Sequence, residues 1–220
     1  MFLAAAICTL ILAGPRLVAA LNFLPTEAAI ERYFLDTRQP IEDIDRLLER
    51  ARRSAAIQPD QRYWAALGLL RYIRATDTSR SLNEQRTDYE NTVTAMGESL
   101  HLAPLQPRAW MIRGFAQSWL SFRDIGSVES LKMSIYSSRV EPTLFLWRLQ
   151  LGLDRFRQLD AEARRLLRDQ ALLAWRLQSR DITNALKRGG LNISYLSQLL
   201  TPADAAVLRE MEDSIAGHVR

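Results

Sequence analysis

The chain has 220 residues, 48% of them hydrophobic and 25% charged, which allows one domain or two and argues against disorder. A single cysteine, Cys8, excludes a disulfide framework and a multi-cysteine metal site. Two histidines, His101 and His218, leave little for metal or acid–base chemistry. Of 29 basic residues all but Lys132 and Lys187 are Arg, yet they are interleaved with Asp and Glu as on solvated helix faces. The net charge of +4 therefore does not form the concentrated stripe of a nucleic-acid binder.

Phe2 to Gly14 is uncharged and strongly apolar, Pro15–Arg16 interrupts the run, and Leu17 to Leu24 continues it. Read as one helix, these about 23 residues extend roughly 35 Å, enough to cross a bilayer. Arg16 then lies inside the span, where it snorkels or meets a neighbouring subunit. A signal peptide cleaved after Val18-Ala19-Ala20 is the rival reading. Against it, a basic n-region is missing and the Arg follows the apolar core instead of preceding it. A lipoprotein is excluded because Ile7 is too large for a lipobox and Cys8 comes too early. The expectation is an anchor over residues 1–24, a helical domain over residues 25–220, and Arg16 as a membrane-helix contact. The downstream flank has no basic excess, which places the domain on the exported side.

From residue 26 onward the pattern is all-α, without period-2 alternation or hairpin turn signals. A short helix is expected over 27–35 with Thr26 as N-cap. The next runs from Pro40 to Ile57 with Ile41, Ile44, Leu47, Leu48, Ala51 and Ala55 on one face, and Pro59 stops it. A third covers 62–74, and the polar stretch Thr76–Thr87 reads as a loop. A long helix carries Leu159, Ala163, Leu166, Leu173, Ala174 and Leu177, and Gly189–Gly190 end it. The tail splits at Thr201–Pro202, with Thr201 as N-cap and Pro at the first helical position. It is expected to cap the open end of an array.

What recurs is a tryptophan four residues before a glycine: Trp64 and Gly68, Trp110 and Gly114, and a degraded copy at Trp147 with Leu151–Gly152. Each Trp follows a proline (Pro59, Pro104, Pro142) by five or six residues. Residues four apart share a helix face, so the indole fills a groove while the glycine admits the paired helix. This resembles the tetratricopeptide repeat, whose two helices carry such a Trp and Gly and whose second helix closes on a proline. The tryptophans are 46 and then 37 residues apart, so the first interval holds an insertion, expected at the 76–87 loop. Tyr72 stands one position late for the repeat's tyrosine. An irregular all-α bundle with the tryptophans as ordinary core is the alternative.

The run Val140–Gly190 also resembles a group of small bacterial proteins of the VpsP type. The matching elements are Trp147–Arg148, Leu151–Gly152, Leu159–Asp160 with Arg164, and Gln170 followed by Ala174–Trp175. That group pairs an N-terminal membrane helix with tetratricopeptide-like helices and is associated with polysaccharide biosynthesis and export. The resemblance covers about a quarter of the chain. It implies a role in polysaccharide assembly or export, and with the exported-side reading of the flank above the expectation is a single-pass bacterial inner-membrane protein with its helical domain in the periplasm.

Chemical motifs are scarce. There is no glycine-rich phosphate loop, HExxH, CxxC or GxSxG. Ser99 and His101, two apart, point to different faces of a helix. Asp160 and Glu162 sit where acids favour a helix start, and Asp154 completes the carboxylates a glycosidase reading would need. The expectation is therefore a non-enzyme without cofactor, metal or nucleic acid: a membrane-anchored scaffold that binds other subunits through its anchor helix and the concave face of its hairpins. Arg113, Phe115, Trp119, Tyr136 and Arg148 are the candidates for that face, since aromatics and Arg dominate interface energetics. The alternatives are an accessory subunit of a respiratory or photosynthetic membrane complex and a carbohydrate-active helical-repeat enzyme.

Overall fold

The computed structural model describes residues 2–35, 43–121 and 125–217, with the side chains of residues 2–12 and 34–35 outside that description. Every regular element among the described residues is helical. The helices are α1 (Phe2–Leu35), α2 (Ile44–Ile57), α3 (Gln61–Ala75), α4 (Leu82–Leu102), α5 (Pro107–Leu120), α6 (Gly126–Ser137), α7 (Phe145–Asp154), α8 (Ala161–Lys187), α9 (Ile193–Leu199) and α10 (Ala205–Ala216). Short 3-10 turns cover Pro142–Leu144, Phe156–Gln158 and Pro202–Asp204. They divide into two compact units, Met1–Pro104 and Leu105–Arg220, each with a core of its own.

In the first unit, α1 pairs with α2, α2 with α3, and α3 with α4. The core takes Ala19 and Phe23 from α1, Leu47, Leu48, Ala51 and Ala55 from α2, and Tyr63, Ala66, Leu67 and Leu70 from α3. The Phe23 and Tyr63 rings meet at 4.7 Å. Between α3 and α4 the buried carboxylate of Asp88 accepts from Arg74 at 2.7 and 2.9 Å and from Arg71 at 3.3 Å, which compensates its desolvation with charge-assisted hydrogen bonds.

Two expectations about the N-terminal segment are overturned here. No break separates it from residues 27–35: α1 runs through Pro15 and Pro25, and the boundary expected after residue 24 falls inside it. Thr26 is not an N-cap. It is buried in mid-helix, and its hydroxyl donates to the Leu47 carbonyl at 3.3 Å. Among the described residues no helix is long and apolar enough to cross a membrane. The second half of the expected 23-residue span has a different occupation, because Ala19 and Phe23 are covered by α2 and α3. Cys8 lies among the residues whose side chains are not described.

The loop expected over 76–87 is also shorter. Ser81 accepts from Glu84 N while the Glu84 carboxylate accepts from Ser81 N at 3.0 Å, a capping box that starts α4 at Leu82. The extra length of the first Trp-to-Trp interval thus resides largely in α4, whose 21 residues compare with 12 in α6.

In the second unit, α5 pairs with α6 and α7 with α8, and α9 and α10 pack on α8. Phe145, Leu149, Leu151, Leu153, Leu167 and Ile182 form the centre of its core. Asp160 caps α8 by accepting from Ala163 N at 2.7 Å, and Gly189, at φ 72°, turns the chain after it in the left-handed region that glycine enters without penalty. Asp204 accepts from the Thr201 amide and hydroxyl at 2.8 Å each and holds Arg168 of α8 at 2.6 and 2.8 Å. That pair fastens the C-terminal helices to α8.

Candidate interaction surface

The glycines of the recurring pattern stand where helices cross. A Cβ at Gly68 on α3 would lie 2.7 Å from Met96 Cε on α4, and one at Gly114 on α5 would lie 3.2 Å from Ser130 Cβ on α6 and 2.9 Å from Leu151 on α7. At Gly152 on α7 it would lie 2.4 and 2.7 Å from the methyls of Leu167 on α8. The contacts under 3.0 Å are ones real Cβ atoms essentially never show, and the 3.2 Å contact is tighter than most, so at each crossing an alanine would require the neighbour to shift.

A second feature recurs in register with the glycines. Ser99 on α4 donates to the Gln61 carbonyl, and Ser134 on α6 donates to the Pro107 carbonyl, both at 2.9 Å. Gln61 and Pro107 each open the first helix of their pair and stand seven residues before its glycine. Ser54 on α2 makes the corresponding bond to the Ala19 carbonyl of α1 at 3.0 Å. In the third Trp–Gly pair the serine is replaced by Gln170, whose Oε1 accepts from Arg148 at 2.8 Å.

That bond decides the fate of Arg148. Its side chain is 0% exposed. Nε donates to Ser134 Oγ, and the Nη atoms donate to the Ser134 and Ser138 carbonyls and to Gln170. Burial pulls its pKa down to about 10, so it remains a cation at neutral pH. Arg148 joins α6, α7 and α8 and has no access to a partner; as a member of the expected binding face it is corrected.

The remaining candidates divide by exposure. Phe115 is half-buried, with its ring edge-on to Trp147 at 5.9 Å, a contact between α5 and α7. Arg113 lies over the Trp110 ring on its own helix, 5.5 Å from the centroid. Trp119 at 42% and Tyr136 at 55% are the exposed ones. Arg16 is exposed on α1.

Tyr136 belongs to a cluster that the sequence did not single out. The Lys132 ammonium ion lies 2.8 Å from Glu129, 3.1 Å from Asp160 and 3.2 Å from Glu162, and the Tyr136 hydroxyl donates to Glu162. The hydrogen bonds that Lys132 donates to these carboxylates, Glu129 first, raise its pKa, so the ammonium form is favoured. Asp160 and Glu162 are both below the usual carboxylate range; the largest cause is the Ala163 amide for Asp160 and the Tyr136 hydroxyl for Glu162, with Lys132 adding to each. The one available signal was that Lys132 is one of only two lysines in the chain.

Beside the end of α7 is an open hollow of about 310 Å³ lined by Asp154, Arg155, Phe156, Arg157, Gln158 and Tyr195. The Phe156 and Tyr195 rings stack in its wall at 4.9 Å and 11°. Partial desolvation raises the Asp154 pKa against the opposing charge of Arg155, although the residue remains exposed. Glycoside hydrolysis of the usual kind takes two carboxyls flanking the bond, and Asp154 is the only carboxylate among these lining residues. Ser99 is buried on the α3 side and His101 sits in the last turn of α4, so they do not form a nucleophile pair; His218 lies outside the described residues. Among the described residues no group of three His, Cys, Asp or Glu side chains is placed to hold a metal ion. Comparison with family models, with curated proteins and with solved structures finds no match to this chain.

Proposed function

We propose that this chain is a non-enzymatic, membrane-attached scaffold of tetratricopeptide-like hairpins that holds a partner subunit in a cell-envelope polysaccharide assembly or export complex. The observation that carries the reading is the repeated hairpin, with glycine at the crossing and, in register with it, a serine of the second helix bonded to the carbonyl seven residues before that glycine. Such units bind through side chains displayed on a rigid helical frame. On this reading Trp119 and Tyr136 face the partner, the uncharged run Phe2–Gly14 attaches the chain to the inner membrane, and the helical domain stands in the periplasm.

The test is affinity capture of the full chain from detergent-solubilised membranes with identification by mass spectrometry, in parallel with Trp119→Ala/Tyr136→Ala. The expected result is co-purification of glycan-assembly proteins that falls at least tenfold for the double variant. Tyr136→Ala removes the hydroxyl bonded to Glu162, so Tyr136→Phe is run beside it, and melting curves of the variants separate lost binding from lost stability. Recovery of respiratory or photosynthetic subunits instead transfers the scaffold to another complex. Polysaccharide hydrolysis by the purified chain overturns the non-enzymatic assignment.

A further inference from the structure

The outward face of α1 from Ala13 to Ala28 carries one charge at its flank, the exposed Arg16, and is otherwise uncharged. Leu17, Val18, Leu21 and Leu24 are 61, 54, 57 and 52% exposed, and Ala13, Pro25 and Ala28 extend the exposed row at both ends. At 100° per residue, Leu17, Leu21, Leu24 and Ala28 fall within about 60° of arc, and the row ends at Glu31 and Arg32. The opposite face is occupied: Ala19, Phe23 and Thr26 are buried against α2 and α3. The outer side of α2 bears Arg46, Arg52 and Arg53, all exposed. The helix is therefore sided, with a charged, hydrated hairpin behind it and an aliphatic row about 22 Å long in front.

We propose that α1 lies lengthwise on a lipid bilayer over residues 13–28, with Leu17, Val18, Leu21 and Leu24 sunk into the acyl boundary and the α2–α3 hairpin on the water side. This deepens the membrane attachment proposed above and rests on it. Lipid is the occupant because the row continues, on one unbroken helix, into the uncharged residues Phe2–Gly14, and a bilayer accepts both. A helix crossing the bilayer through residue 24 would carry the charged α2 into hydrocarbon. Lying in the interface, α1 keeps α2 in water and leaves the Arg16 guanidinium at headgroup depth, where it meets lipid phosphate.

The test uses the full chain in a Cys8→Ala background with one fluorophore-labelled cysteine at a time, Leu17→Cys, Leu21→Cys, Leu24→Cys or, as water-side control, Arg52→Cys. All four sites are exposed, so labelling leaves the core intact. The protein is floated with vesicles of phosphatidylethanolamine and phosphatidylglycerol carrying a quencher at shallow or deep acyl positions. The expected result is a blue shift and similar shallow quenching at 17, 21 and 24, with none at 52. Depth that changes steadily from 17 to 24, by about 10 Å over seven residues, means a crossing helix and overturns the proposal. Flotation without quenching at the three sites, or label-to-label quenching between copies, overturns it while attachment through residues 2–14 stands. Failure to float at all overturns the attachment as well.

Discussion

Gly152 and Gly68 occupy the same place in their hairpins but differ in what an added methyl would strike. At Gly152 it meets both methyls and Cγ of Leu167 at 2.4–3.1 Å, and Leu167 is 0% exposed. At Gly68 it meets Cε, Cγ and Sδ of Met96 at 2.7–3.1 Å, a side chain equally buried but unbranched and flexible. Gly152→Ala should cost about 1–3 kcal/mol through overpacking. Gly68→Ala should cost less, because Met repacks and alanine gains up to about 1 kcal/mol of helix propensity. Denaturant melts of the two variants check the order. Arg148→Ala should cost at least about 1–3 kcal/mol, since it leaves the Ser134 carbonyl and Gln170 Oε1 without this donor in a buried site. Arg148→Met, which fills the volume, should recover part of that loss. The Trp–Gly spacing was legible because a helix crossing needs a small residue at one place on one face. The burial of Arg148 was not, because its acceptors come from α6 and α8 and an arginine on an amphipathic helix reads as a surface residue.

At the scale of elements, side-chain caps set the starts of α3, α4, α8 and α9. Ser81 and Glu84 moved the start of α4 to the middle of a stretch that composition marks as loop. Polar residues serve equally in a loop and on an exposed helix face, and only the reciprocal bonds distinguish them. Pro25 stands inside α1 without ending it; the carbonyl it leaves without a donor is that of Leu21, on the side of the helix that α2 and α3 leave uncovered. The C-terminal helices depend on Asp204. The Arg168 guanidinium beside it holds its carboxyl well below the usual carboxylate range. A depressed carboxylate contributes stability that is fully present above its unfolded pKa of about 4 and is lost as the pH falls through the folded value. Acid should therefore loosen α9 and α10 from α8 at pH below about 4, and Asp204→Asn should remove much of that acid dependence while lowering stability at neutral pH by about 1–2 kcal/mol. Hydrogen exchange of α10 amides as a function of pH, compared between the two proteins, measures both effects.

For the whole molecule, the consequence of two separate cores is that each unit meets the requirement for folding by itself. The second unit holds 116 residues, Leu105–Arg220, with twenty-two buried hydrophobic residues in one cluster, within the size at which single domains are stable. A fragment starting at Leu105 should give a helical circular dichroism spectrum and a cooperative melt. A non-cooperative transition would mean that the first unit is needed for its stability. The helical class and the stops near Pro59, Gly189–Gly190 and Thr201–Pro202 were determined by the sequence alone, through periodicity, prolines and glycines that act within one helix or one turn. Tertiary structure decided what depends on residues far apart in the chain: that the apolar N-terminal segment gives one face to a core and leaves the other bare, that Arg148 is enclosed, and that Lys132 gathers three carboxylates. Each of these turns on which face of a helix is covered, and a helix acquires its covered face only from its neighbours.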